Sequence, residues 1–86
     1  MWFTYILYSV SINKYYVGYT SDLKLRLERH NSGWGKFTKR GIPWRLVYFE
    51  EFNFKSDALK RESEIKKMKS RKYIEQLIYS AEGRPE

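Results

Sequence analysis

Eighty-six residues make one small domain with room for a single core, and aromatic residues, 19% of the chain, supply large side chains to fill it. There is no cysteine, which excludes disulfides and thiolate-bound zinc and fits a reducing intracellular compartment. The net charge of +7, from 17 Lys and Arg against 10 Asp and Glu, points to an anionic partner, nucleic acid before an acidic membrane surface.

The start, Met1-Trp2-Phe3-Thr4-Tyr5-Ile6-Leu7-Tyr8, is apolar but has no basic leader and no small-residue cleavage site. No run approaches the roughly 20 apolar residues of a membrane span. A soluble, untargeted, cytoplasmic protein is expected. Residues 2 to 9 read as a strand with Phe3, Tyr5 and Leu7 on one face and Trp2, Ile6 and Tyr8 on the other, so it should lie centrally and be covered on both sides. Asn13-Lys14 signals a turn, and Tyr15 to Tyr19 form a second strand, paired with the first as a hairpin. Gly18 sits between Val17 and Tyr19, where it lets another backbone or a ligand approach and leaves the Tyr16 hydroxyl less crowded.

Thr20 or Ser21 is expected to cap a helix running to about Asn31, with Asp22 in its first turn. Leu23 and Leu27 define its apolar stripe, Arg26 and His30 lie along the edge one turn apart, and Leu25 falls opposite. Gly33 to Pro43 reads as a flexible loop or a single irregular turn carrying Lys36, Lys39 and Arg40. A third strand over 44 to 52 places Trp44, Leu46 and Tyr48 on one face. Ser56 with Asp57 opens a second helix to about Met68, and Ser70 caps a third with Tyr73, Ile74, Leu77, Ile78 and Ala81 as its stripe. Gly83 to Glu86 should fray beyond a domain of residues 1 to 82. The expected class is α+β, a three-stranded antiparallel sheet flanked by helices.

The second helix breaks its own pattern. Its stripe is Ala58, Leu59 and Ile65, and Glu62 falls inside it, about 40° from Ala58. A carboxylate facing a sheet is normally paired, protonated or bound to a metal; a salt bridge to Arg26 or a nearby lysine is the plain alternative. Tyr5, Tyr16, Arg26, His30 and Glu62 together supply what phosphodiester cleavage needs: proton-transfer groups, a guanidinium for phosphate, and a metal-binding carboxylate. Lys55, Lys60, Arg61, Lys66, Lys67, Lys69, Arg71 and Lys72 crowd one segment and suggest a basic face.

With these residues in place the sequence resembles a GIY-YIG nuclease domain, in its small stand-alone bacterial branch, over roughly residues 2 to 79. Tyr16-Val17-Gly18 matches the second name-giving motif, and Phe3-Thr4-Tyr5 keeps only the tyrosine of the first. Asp22-Leu23-x-x-Arg26-Leu27-x-x-His30-Asn31 is similar to the family's arginine-bearing helix, and Ala58-x-x-Arg61-Glu62-x-x-Ile65-Lys66 to the segment with its glutamate. The resemblance implies one Mg²⁺ or Mn²⁺ held by Glu62, Tyr16 as general base with Tyr5 beside it, Arg26 on the developing phosphorane charge, and His30 in proton transfer. Some members carry a lysine where this chain has Tyr19, so the sequence leaves the base open between Tyr16 and His30.

The function expected is a metal-dependent DNA endonuclease, directed by DNA structure rather than sequence, in the setting of repair or recombination, with no small-molecule cofactor. Lys36, Lys39, Arg40, Lys66, Lys67 and Lys69 are the expected nucleic-acid contacts. The alternative is a non-catalytic nucleic-acid-binding module on the same fold, with Trp34 and Phe37 stacking on bases.

Overall fold

In the computed structural model, which describes residues 1–82, strand β1 (Trp2–Ser9) takes the centre of a three-stranded antiparallel sheet. The expected fraying of Gly83 to Glu86 lies outside the described residues. Strand β2 (Lys14–Thr20) pairs with β1 on one side and β3 (Trp44–Phe52) on the other. Central placement is what the two apolar faces of β1 require, and Thr4, Tyr5, Ile6 and Leu7 are all buried. The hairpin turn holds Asn13 at φ 53°, a left-handed conformation that asparagine tolerates well.

Each face of the sheet has its own cluster. On one, Tyr5 and Leu7 pack with Trp44, Leu46, Tyr16 and the Leu23 and Leu27 stripe of helix α1 (Leu23–Asn31). On the other, Ile6 and Val17 pack with Ile65 of helix α2 (Lys55–Met68) and with Tyr73, Ile74 and Leu77 of helix α3 (Arg71–Glu82). Thr4 fastens α2 to the central strand by donating to the Ala58 carbonyl across 2.7 Å.

Several local expectations are corrected. Asp22 is the α1 cap, accepting from the Leu25 N–H at 3.0 Å, whereas Thr20 uses its hydroxyl on the Asp22 backbone. Helix α2 starts at Lys55 after Phe54, with no side-chain cap from Ser56. Leu59 is 37% exposed, so the buried stripe of α2 is narrower than its sequence suggests. Ser70 does cap α3, accepting from the Tyr73 N–H at 3.1 Å.

In β3, Trp44 and Leu46 share a face, but Tyr48 lies on the opposite one, beside Ile6. Ile6 pairs with Tyr48 and Leu7 with Leu46, leaving Val47 as an extra residue that reverses the alternation. Glu50 therefore also turns toward α2, where it meets Arg61. Arg61 Nε donates to both Glu50 oxygens at 3.1 Å, Arg61 Nη1 donates to the Tyr73 hydroxyl at 3.2 Å, and Tyr48 donates to Glu50 at 2.6 Å. Burial and the adjacent carboxylate push the Tyr48 phenol up to about 12. Arg61 thus joins α2 to β3 and α3, and the basic face expected over 55 to 72 loses that member.

The segment between α1 and β3 is anchored rather than flexible. Its centre is a 3₁₀ turn, Thr38–Gly41, with both end residues buried. Asn31 at the end of α1 donates to the Trp44 carbonyl at 2.9 Å and accepts from its N–H at 2.6 Å, acting as a short substitute strand. The Trp44 indole donates to the Thr38 carbonyl at 2.6 Å, and its ring lies where a side chain at Gly41 would collide with it.

Candidate active site

The tyrosine on the central strand determines what stands next to it on β2. Tyr5 pairs with Gly18, and a Cβ at Gly18 would lie 2.5 Å from the Tyr5 hydroxyl and 2.7 Å from the ring carbon bearing it. The glycine makes room for Tyr5, which corrects the expectation that it relieves Tyr16. Laid across the glycine, the Tyr5 hydroxyl comes to 3.0 Å from His30 Nε2. The opposite ring nitrogen, His30 Nδ1, lies 2.9 Å from the Thr38 hydroxyl. Tyr5, His30 and Thr38 are each less than a tenth exposed, so this three-member chain is nearly dry.

Electrostatics set the protonation of the chain. Burial raises the Tyr5 phenol well above its ordinary value, the nearby Tyr16 and Glu62 add to the rise, and Arg26 opposes it. Burial, assisted by the Arg26 charge, lowers the His30 imidazole below its usual range. A neutral phenol and a neutral imidazole follow at pH 7. In the arrangement that satisfies both, Tyr5 O–H donates to Nε2 and Nδ1–H donates to Thr38.

Tyr16 stands on the open side of this chain. Its ring meets the His30 ring edge-on at 4.9 Å between centroids and stacks on Phe37 at 6.3 Å. With Arg26, Arg29, His30, Trp34 and Gly35 it lines a cleft of about 280 Å³. Arg26 and His30 reach it from one side of α1, the i, i+4 spacing setting them one turn apart. Glu62 approaches from α2. Its side chain is 16% exposed and accepts from Lys66 Nζ at 3.3 Å, so the nearby lysine, not Arg26, is its partner.

Of the five residues singled out in the sequence, Tyr16, Arg26 and His30 line the cleft and Tyr5 stands behind it, while Glu62 does not line it and is tied to the group only through the effect of its charge on Tyr5. Lys36, Lys39 and Arg40 are exposed on the loop that carries Trp34, Gly35 and Phe37. Lys66, Lys67 and Lys69 are exposed at the C-terminal end of α2. Thr38 and Arg29 escaped the sequence reading. A single threonine inside a polar loop carries no periodic signal, and nothing in the helix spacing sets Arg29 apart, whose guanidinium lies 5.0 Å over the Trp34 ring.

No group of three or more His, Cys, Asp or Glu that could hold a metal exists among the described residues. Of the half-buried carboxylates among the described residues, Glu50 is taken by Arg61 and Tyr48, and Glu62 is matched with the Lys66 ammonium. That donor set fits a hard divalent ion shared between one carboxylate and phosphate oxygens, and would not hold one tightly by itself. No helix among the described residues is long and apolar enough to cross a membrane.

A family described as the GIY-YIG catalytic domain matches residues 1–74. UPF0213 proteins of Staphylococcus aureus are 49% identical over 65 residues, 74% of this chain and 78% of theirs. A UPF0213 protein of Staphylococcus saprophyticus is 48% identical over 60 residues, 69% and 73% of the two chains. The solution NMR structure of a UPF0213 protein from Bacillus halodurans is similar to this fold with a TM-score of 0.58 at 39% identity, covering 99% of this chain and 89% of that one.

Proposed function

The chain belongs to the GIY-YIG family, and on that premise we propose that it is an endonuclease that hydrolyses DNA phosphodiester bonds with one Mg²⁺ or Mn²⁺. The observation that carries the reading is the cleft in which Tyr16, Arg26 and His30 converge in front of the Tyr5–His30–Thr38 chain, with the charge of Glu62 felt at Tyr5. Glu62 is the residue that would hold the ion. When bound, the ion supplies Lewis-acid polarisation of the scissile phosphate.

The remaining roles fall to the chain itself. Arg26 clamps the phosphate and offsets charge that develops on it. Both nitrogens of His30 are engaged, by Tyr5 and Thr38, which leaves it unable to take a proton from an attacking water directly. Tyr5 stays protonated because it is buried. Tyr16 is the tyrosine facing the cleft, and we assign it the general-base role, with Tyr5 and His30 as the polar backing that fixes its surroundings. The cleft presents guanidinium groups and aromatic rings, which bind phosphates and base faces, rather than paired amides that read base edges. Recognition of branches, ends or unpaired segments follows, as repair or recombination requires.

A non-catalytic binding module is favoured by one observation, that Lys66 already neutralises Glu62. A cleavage panel of duplex, flap, junction and single-stranded DNA with Mg²⁺ or Mn²⁺ separates the two readings. Glu62→Ala is expected to lower cleavage at least about a thousandfold, the scale of several kcal/mol of lost stabilisation, while DNA affinity stays within about threefold. Wild-type protein that binds DNA but nicks no member of the panel would leave only the binding module.

A further inference from the structure

A second concavity lies round the edge of β2 from the cleft, and Tyr16 borders both. It is a groove of about 380 Å³ between β2 and the junction of α2 and α3. Its floor is apolar, built from Tyr15, Val17, Ile65 and Ile74, and its rim is cationic, with Lys14, Lys66, Lys69 and Arg71 and no carboxylate among the lining residues. We propose that this groove binds an unpaired nucleic-acid strand running out of the cleft across Tyr16, with phosphates on the rim and base faces on the floor.

Charge complementarity names a polyanion, and the apolar floor narrows it. A duplex hides its base faces and presents only phosphates and groove edges, so a floor of aromatic and aliphatic side chains has nothing to cover there. A single strand offers both chemistries at nucleotide spacing. The rim cations divide by what they already do. The Arg71 guanidinium is held by the Asn13 carbonyl at 2.9 Å, the Asn13 side chain at 2.6 Å and Glu75 at 3.2 Å, and it lies 5.0 Å over the Tyr15 ring. It braces α3 against the hairpin and sets the groove's width. Lys66 is shared with Glu62. Lys14 and Lys69 make no ion pair or side-chain hydrogen bond among the described residues, and so are left for the ligand.

The backbone at Lys69 gives a separate handle on this rim. This residue ends α2 in the left-handed conformation, φ 47°, a position where glycine or asparagine would be the less strained choice. The lysine side chain gains nothing from this backbone, so replacing it with glycine separates what the side chain does in the groove from what the residue does in folding.

The inference rests on the nucleic-acid reading of the cleft, though not on its catalysis, so its test uses binding by Glu62→Gln protein to fluorescent oligo(dT) and to a duplex of equal length. Lys69→Gly should keep or raise the melting temperature while weakening oligo(dT) binding. Lys14→Glu combined with Lys69→Glu should weaken it at least about tenfold and flatten the logarithmic salt slope by about 1.4, two single-strand phosphate contacts, with duplex binding changed far less. Photo-crosslinking of 5-iodouracil oligonucleotides should label Tyr15 or Tyr16. Unchanged oligo(dT) affinity in both variants, an equal loss on duplex, or crosslinks that avoid the groove would overturn the proposal. Groove crosslinks beside a wild-type protein that nicks no DNA in the cleavage panel would sustain it while ending the nuclease reading; cleavage by the wild type without groove crosslinks would do the reverse.

Discussion

The two faces of one strand do different work. Ile6 faces a cluster of Val17, Ile65, Ile74 and Leu77, where close packing supplies the stability and the buried Thr4 beside it is satisfied by the Ala58 carbonyl. Tyr5, the residue before it, faces His30 and Tyr16, where a hydrogen-bonded chain through both His30 nitrogens to Thr38 is complete and a single glycine makes the space. The first environment tolerates changes of shape better than loss of volume; the second tolerates neither. A small domain can therefore carry a demanding polar site, provided that the opposite face of the same strand supplies the cohesion.

The contrast is broken most sharply by a pair of substitutions. Tyr16→Phe should cost about a hundredfold or more in cleavage rate, the range for a lost general base, with the melting temperature unmoved. Ile65→Ala should do the opposite, destabilising by about 2–5 kcal/mol in denaturant titration and leaving activity per folded molecule intact. If both variants lose stability alike, the faces are not separable and the comparison fails.

Gly18→Ala probes the boundary between them. The new methyl would meet the Tyr5 hydroxyl and ring, so a loss of about 1–3 kcal/mol is expected together with reduced activity. An unperturbed Tyr5 environment by NMR in that variant would show that the ring does not need the glycine. Thr38→Val removes the partner of His30 Nδ1 and should cost about 1–3 kcal/mol in melting experiments, with a smaller loss if water fills the gap.

The smallest expected effect is pH dependence. Unfolded, the His30 imidazole takes a proton near pH 6.5; folded, burial and Arg26 hold it neutral to lower pH. Below about pH 6.5 the unfolded state binds the extra proton, so stability falls as pH drops, by at most about 1.4 kcal/mol per pH unit, and is level above. The His30→Gln protein should lack that slope when melting temperature is followed from pH 8 to pH 5.

The element order, the central position of β1 and the proximity of Tyr5, Tyr16, Arg26 and His30 are legible in the sequence, because strand alternation and helical spacing report on which side chains share a face. The partners of those residues were less so. Glu62 announced itself by interrupting an apolar stripe, but nothing in the sequence distinguished Arg26 from Lys66 as its neighbour, since helix rotation decides that. Gly18 was noticed and assigned to the wrong tyrosine, because cross-strand register is not a property of either strand alone. Thr38 carries no signal in the sequence, its role arising from the way Trp44 and Asn31 pin a loop whose composition reads as flexible.

Val47 shows how little chain separates one layout from another. It is one residue beyond what the pairing of β3 needs, and it sends Tyr48 and Glu50 to the helix side while Trp44 and Leu46 stay with the cleft. Paired at unchanged length without that bulge, half the strand would slip by one: Glu50 would abandon Arg61 and arrive, still charged, opposite Phe3 on the face of Tyr5. Deleting Val47 instead keeps Ile6 opposite Tyr48 and Leu7 opposite Leu46 in a regular ladder, so both faces survive the loss of this one residue. Among variants of this chain, β3 should accept a deletion at Val47 more readily than an insertion beside it, which would need a second bulge to keep Glu50 at Arg61.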